Sequence, residues 1–477
     1  MKKTISKLKQ GHWPVFLMSM LSAIVNLFLP TILVRILPPE EIGVYKIFFL
    51  YVQSITFLSL AGGPLYSVYY WVGKKEESNE YVDQAWKVCL GLSLTSTFIG
   101  LLFSFQISKM ISLTWPQTLL LLLSAITTAP AAYLGEYLVA KGKRLYGSLF
   151  NSGFELLKGI AIVSATLIYR SIDAAFWTFS ILFLIKLIIA LVIGKKLKII
   201  SFQFDREKIV TVWKYCAPMS LAGVLGFFLE KIDMLLLSSR LSVEDFAYYS
   251  MGCLLVPPLV LLEMSVQKVL IPELSKAYHQ LDLHGMILSY RKAQSDIAYL
   301  MIPSVFGLIV FARPIVEILF TKQYLTSAPF LQVFALTYLA YIFPHDAIPR
   351  ATGNTKWVLK IYSIVTPITI LSVGFMAGPY GAMGALATST LFRFAPKIPG
   401  LLYAARVTKH SIPQLFAWRS LALYTFVNLI LASVSISLKS QFTTEVKWFL
   451  ILGPFYAVIY LVIVLFSKGL LDRKRAQ

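Results

Sequence analysis

The amino-acid sequence predicts an all-α polytopic membrane protein of about 14 transmembrane helices. Three observations predict it. Of the 477 residues, 57% are hydrophobic and 14% charged, with a mean hydropathy of +0.71. A soluble domain is about 45–50% apolar and about 25% charged. Apolar stretches of about 20 residues, long enough to cross a ~30 Å hydrocarbon layer as a helix, recur from end to end. Basic residues gather in alternate connections between them, as the cytoplasmic bias of Lys and Arg requires.

The stretches run over 14–36, 44–71, 88–106, 117–140, 147–169, 174–194, 215–238, 247–273, 297–320, 326–348, 358–377, 380–403, 418–438 and 447–467. The first follows the basic segment MKKTISKLKQ and reaches LPTILVRILPPEE without a small-residue cleavage site, so it reads as a retained helix. With the N-terminus cytoplasmic, the cytoplasmic connections hold Lys74–Lys75, KGKR (141–144), KKLK (195–198), Arg291–Lys292 and the terminal DRKRAQ. The opposite side holds only scattered basics such as Lys109, Arg170, Arg240 and Lys322. Both termini are therefore expected to be cytoplasmic. The net charge of +21 is mostly topological, and nucleic acid is not an expected partner.

No P-loop, GxSxG or HExxH motif occurs, and Cys89, Cys216 and Cys253 form no CxxC pair. A transporter without metal or cofactor is expected, not an enzyme.

Residues 37–45 read LPPEEIGVY and residues 241–249 read LSVEDFAYY, both fitting L-x-x-E-[ED]-Φ-[GA]-x-Y at an offset of 241 − 37 = 204. Each lies in the turn after the first span of a half. Internal repeats of this kind are common in secondary transporters, whose sites lie between the halves. The expected organisation is an N-terminal lobe of six spans (1–200), a C-terminal lobe of six (201–410) and two added spans (411–477).

Ionisable residues deep in lipid are costly, so they usually face a cavity or a partner. FFLEKIDMLLLSSRL (227–241) carries Glu230, Lys231 and Asp233 within four residues. NSGFELLK places Asn151, Glu155 and Lys158 along one helical stripe. STLFRFAPK places Ser389, Arg393 and Lys397 four apart, and Glu263 shares a face with Gln267. Arg313 and Glu317 stand at i, i+4, either lining a cavity or forming a private ion pair. Lys46, Lys186, Lys268 and Glu136 lie nearer span ends, where a long side chain can reach the interface. The cations expected to face an anionic ligand are Lys46, Lys158, Lys231, Arg313, Arg393 and Lys397. The carboxylates expected to bind a coupling H⁺ or Na⁺ are Glu155, Glu230, Asp233 and Glu263. Phosphate suits such a cationic set.

The turn LVRILPPEEIGVYKIFF and its echo EKIDMLLLSSRLSVEDFAYYSM resemble signature segments of bacterial polysaccharide and O-antigen flippases. These belong to the multidrug/oligosaccharidyl-lipid/polysaccharide exporter superfamily. The resemblance implies a V-shaped pair of six-helix lobes around a cationic cavity. It also implies movement of undecaprenyl-pyrophosphate-linked oligosaccharide across the bacterial cytoplasmic membrane by alternating access. Lys231 and Asp233 match the charged positions of the seventh span. The implied partners are the lipid-linked glycan, membrane lipids, a polysaccharide polymerase and glycosyltransferases. The arginine-rich first-half motifs of the related lipid II flippases are not evident. A multidrug cation antiporter and a non-transporting scaffold for glycan assembly are the alternatives. The first sits poorly with so many cavity cations, and the second has no need of charges along mid-membrane faces.

Overall fold

The computed structural model describes residues 13–73, 78–201 and 203–476. The basic segment MKKTISKLKQ and the Lys74–Lys75 pair lie outside them. Among the described residues all regular structure is helical. Nine helices there are long and apolar enough to cross a membrane, or ten when one bent pair counts as a span. The all-α polytopic prediction is borne out. The chain forms two compact units, one ending at Ala247 and one beginning at Tyr248.

The first unit contains α1 (Trp13–Leu33), α2 (Pro39–Leu58), α3 (Gly62–Gly73), α4 (Ser78–Leu102), α5 (Ser104–Met110) and α6 (Trp115–Ala140). It continues with α7 (Arg144–Ser148), a π-helical turn at Leu149–Gly153, α8 (Phe154–Tyr169), α9 (Ile172–Lys196) and α10 (Arg206–Leu237). Helix α11 (Val243–Gly252) begins in this unit and ends in the next. Trp71, Trp86, Tyr133 and Cys216 are buried together in its core.

The two copies of the repeated motif start helices at matching points, since 243 − 39 = 204. Pro39 fills the first turn of α2, where its missing N–H costs nothing. In the second copy Ser242 takes the cap, accepting the Asp245 N–H at 3.1 Å. Both first turns are acidic, as a helix N-terminus favours. The copies also touch. A Cβ at Gly43 would lie 2.0 Å from the Val243 carbonyl oxygen, so only glycine allows this approach.

The connection between α9 and α10 is tied to the start of α4. The Asp83 carboxylate accepts the Ser201 N–H and hydroxyl, each at 2.7 Å, and pairs with Lys87 at 2.7 Å. Lys87 also reaches the Gln203 carbonyl, and Gln84 donates to that same oxygen at 3.0 Å. Asp83 and Lys87 are both buried. A polar segment on the membrane surface is thereby held to one place.

The second unit contains α12 (Pro257–His279), α13 (Leu283–Val310), α14 (Ala312–Phe320), α15 (Ala328–Ala335), α16 (Thr337–Tyr341) and α17 (Ala347–Ala351). It ends with α18 (Thr355–Phe392), α19 (Lys397–Thr408), α20 (Trp418–Ser437) and α21 (Glu445–Ala476). Leu274, Met286, Tyr290 and Ile348 anchor its core, and Phe311, Trp448 and Tyr456 form a second cluster.

Helix interruptions fall at fewer places than the prolines suggest. Pro30, Pro130 and Pro367 sit inside continuous helices. True breaks separate α2 from α3 and α11 from α12, the latter a bend of 50°. Each break has its loose backbone groups satisfied by a neighbouring hydroxyl. Ser220 donates to the Leu60 carbonyl at 2.8 Å, while the Tyr338 hydroxyl accepts the Val256 N–H at 2.7 Å and donates to Leu254 O at 3.1 Å. Helix α18 contains a further kink at Gly381, whose φ of 57° and ψ of −146° suit glycine.

Candidate functional site: two charge clusters

In the first unit the residues from Arg144 to Tyr169 make one span, with Glu155 and Lys158 near its centre. The π turn inside it adds a residue to the helical period, a feature frequent at functional sites. It turns Asn151 toward α6, where its amide donates to Glu136 Oε1 at 2.9 Å and to the Ala132 carbonyl at 3.2 Å. Tyr69 donates to the other Glu136 oxygen at 2.6 Å. One turn further on, Lys158 pairs with Glu155, which also accepts from Asn26 of α1 at 3.4 Å.

Lys186 completes this cluster. It lies ten residues before the end of α9 at Lys196, about 15 Å along the axis, too deep to reach the interface. It is 2% exposed, and its ammonium stands 5.5, 5.5 and 5.4 Å from the ring centres of Phe150, Phe154 and Phe183. Three aromatic rings within about 6 Å stabilise the cation. Its position in the sequence suggested snorkelling, and the packing of α8 on α9 buries it instead.

In the second unit the charges converge on a loop. Between α16 and α17 the backbone is non-helical, and it carries the buried pair His345 and Asp346. Lys397 stands 3.0 Å from His345 Nδ1, and Arg350 pairs with Asp346 at 2.7 Å. Because an ammonium only donates, this contact makes Nδ1 the acceptor and leaves the proton on Nε2. Nε2 is buried and has no hydrogen-bond partner among the described residues. Gly400 lets α19 approach, since a Cβ there would lie 2.6 Å from the His345 Cβ and carbonyl oxygen. Glu263 accepts from Gln267, and the Arg393 guanidinium lies 5.2 Å from the Phe334 ring centre. Non-helical backbone of this kind, inside a membrane protein, is tolerated where it lines a cavity or is buried in protein.

Other sequence-predicted residues fall elsewhere. Glu230, Lys231 and Asp233 all lie on α10, Glu230 exposed, Lys231 half-buried and Asp233 buried. The two carboxylates share a face by spacing but not an environment. Lys46 is half-buried on α2. Arg313 does not pair with Glu317. It is exposed and 3.4 Å from Glu445, which Lys439 also meets at 3.0 Å, while Glu317 faces Lys322 at 3.8 Å. The spacing of Ser389, Arg393 and Lys397 is not one helical stripe, because α18 ends at Phe392 and α19 begins at Lys397. Pro396 disfavours helical backbone at the residue before it.

With Lys158 and Lys186 placed within spans of a two-unit helical chain bearing a duplicated turn, a family model described as polysaccharide biosynthesis protein matches residues 32–329. The chain belongs to this family. The resemblance read from its two turn motifs is borne out.

A probable lipid II flippase MurJ from Rickettsia prowazekii is 27% identical over 198 residues. That match spans 37% of this chain and only 37% of the relative's length. Among solved structures, a lipid II flippase MurJ in an inward closed conformation has a TM-score of 0.71 at 20% identity, covering 96% of this chain and 99% of that one. An inward-facing multidrug resistance MATE family transporter of the MOP superfamily has a TM-score of 0.60 at 14% identity, covering 81% of this chain and 94% of that one. This member of the polysaccharide biosynthesis family therefore shares its fold with flippases and multidrug transporters alike.

Proposed function

We propose that the chain is a flippase that moves undecaprenyl-pyrophosphate-linked oligosaccharide across the bacterial cytoplasmic membrane by alternating access. The observation that carries this reading is a pair of cations on two adjoining spans, Lys186 buried and Lys158 half-buried, within a chain of the polysaccharide biosynthesis family. A buried cation is costly unless something offsets it, and a transiting pyrophosphate needs such cations along its path. Lys46, Lys158, Lys231, Arg393 and Lys397 contact the pyrophosphate in this reading, and the His345 Nε2–H supplies a further donor. Arg313 holds the final loop through Glu445 and is the weakest member of the predicted set. Glu155, Glu230, Asp233 and Glu263 are the coupling carboxylates for H⁺ or Na⁺. Both termini are cytoplasmic in this reading.

Lipid II is the second substrate reading, favoured by the whole-chain structural likeness to a MurJ flippase. Proteoliposomes loaded with undecaprenyl-pyrophosphate oligosaccharide, lipid II or a cationic dye separate the possibilities. Arg393→Gln and Lys231→Gln should each slow glycan flipping by roughly 10–100-fold, as expected for losing a hydrogen bond to a charged group, with insertion intact. Dye transport without glycan transport overturns the reading, as does wild-type flipping by both variants.

A further inference from the structure

A polar cavity of about 620 Å³ lies in the second unit where α13 and α20 pack together. Arg291, Lys292 and Asp296 line it from α13, Phe416 from the loop before α20, and Trp418 and Arg419 from the start of α20. Beyond Asp296 the rest of α13 is uncharged, and beyond Arg419 so is the rest of α20. The cavity therefore sits at the level where both helices pass from water into the apolar layer. Its side chains carry three positive charges and one negative.

The loop bounding the cavity is held in place. Arg291 Nε donates to the Gln414 carbonyl at 2.6 Å, Gln294 accepts the Ala417 N–H at 3.1 Å, and Trp418 donates to the Pro413 carbonyl at 2.8 Å. Phe416 and Trp418 stack at 5.0 Å. Lys292 and Arg419 are exposed and have no carboxylate salt-bridge partner among the described residues. No side chain caps α20, and its first turn has no acidic residue, so its positive end also faces this region.

We propose that this cavity is a binding site for the phosphate headgroup of an anionic membrane phospholipid. Basic pockets between transmembrane helices at the surface suit such headgroups, and the exposed Trp418 suits the interfacial layer beside them. The phospholipid is bound at the rim and is not cargo.

The full-length protein, delipidated in detergent, is titrated with phosphatidylglycerol and with phosphatidylcholine of the same acyl chains, and bound lipid is counted by native mass spectrometry. Wild type should prefer phosphatidylglycerol. Each interfacial cation is worth about fivefold in affinity, so Lys292→Gln/Arg419→Gln should weaken phosphatidylglycerol binding roughly 25-fold and leave phosphatidylcholine unchanged. Arg291 is kept because it holds the loop. Lys356→Gln/Lys360→Gln, on α18, should behave as wild type, and an unaltered melting temperature confirms that each variant is folded. Lys292→Glu provides a second, single-site variant with the same expected direction. Equal binding of the two lipids by wild type overturns the proposal, as does a preference that survives the double substitution. Displacement of phosphatidylglycerol by undecaprenyl pyrophosphate in the wild type, lost in the double variant, also overturns it, by assigning the cavity to the cargo.

Discussion

Removing Asp83 should loosen the whole first unit, because its carboxylate ties the α9–α10 connection to α4. The carboxylate accepts three short bonds, from Lys87, the Ser201 N–H and the Ser201 hydroxyl. In Asp83→Ala the Lys87 ammonium keeps the Gln203 carbonyl, the Ser201 hydroxyl and the Phe204 ring but no carboxylate, and it remains buried. Breaking a buried pair from one side costs about 3–5 kcal/mol. The surviving Lys87 contacts bring the expected loss toward the middle of that range, about 4 kcal/mol. Lys87→Met should cost less, about 2 kcal/mol, because Asp83 retains both Ser201 donors. At about 2.1 cal/mol/K of unfolding entropy per residue, the Asp83→Ala loss lowers Tm by about 4 °C if the whole chain unfolds together and about 8 °C if the first unit unfolds alone. Thermal unfolding in detergent, followed by intrinsic fluorescence, reads the shift. The double variant should fall short of the sum of the singles by about 2 kcal/mol. Strictly additive singles, or a Tm shift for Asp83→Ala under about 1 °C, would refute the argument that these groups act as one clasp.

Two further outcomes follow from neighbouring features. Gly43→Ala should lower Tm by the cost of overpacking, about 1–3 kcal/mol, since the new methyl meets a backbone oxygen that cannot rotate away; Gly62→Ala, with nothing within 4 Å, is the matched control and should be near neutral. At Asp205 the Lys208 N–H, donated at 3.1 Å, holds the carboxyl below its usual range. A depressed folded pKa contributes stability above the unfolded value of about 4 that is lost as pH falls through the folded pKa. The Tm gap between wild type and Asp205→Ala should therefore be constant from neutral pH to about 4 and close below it, and a gap that widens with acid contradicts the assignment.

Much of the architecture was legible because lipid imposes a simple rule on composition. Most of the fourteen predicted ranges fall largely on helices, but 326–348 breaks into short helices around the His345–Asp346 loop and the boundary expected after 377 lies inside α18; both copies of the turn motif start a helix at the matching residue. The site was legible only where partners are close in sequence. Glu155 and Lys158, three apart, pair as their spacing suggests, as do Glu263 and Gln267. Arg313 finds Glu445 rather than Glu317, since α14 packs on α21 and Glu445 opens that helix. Lys186 is recognisable only once Phe150 and Phe154 arrive from another helix, and His345 only once Lys397 does. A lone histidine near a span end carries no signal of its own until a cation 52 residues away fixes its tautomer.

The hydroxyls at the two helix breaks have a bearing on the proposed alternating-access cycle. A break becomes a hinge only if its backbone groups can exchange partners cheaply as the angle changes. Ser220 on the Leu60 carbonyl and Tyr338 across Leu254 and Val256 act as struts at fixed bends. Swinging either bend strips these contacts in a setting where no water replaces them, at a cost of several kcal/mol for each group left bare. The bent helices should thus travel as rigid elbows, and flexing in the proposed cycle belongs to other bends, such as the φ-positive kink at Gly381.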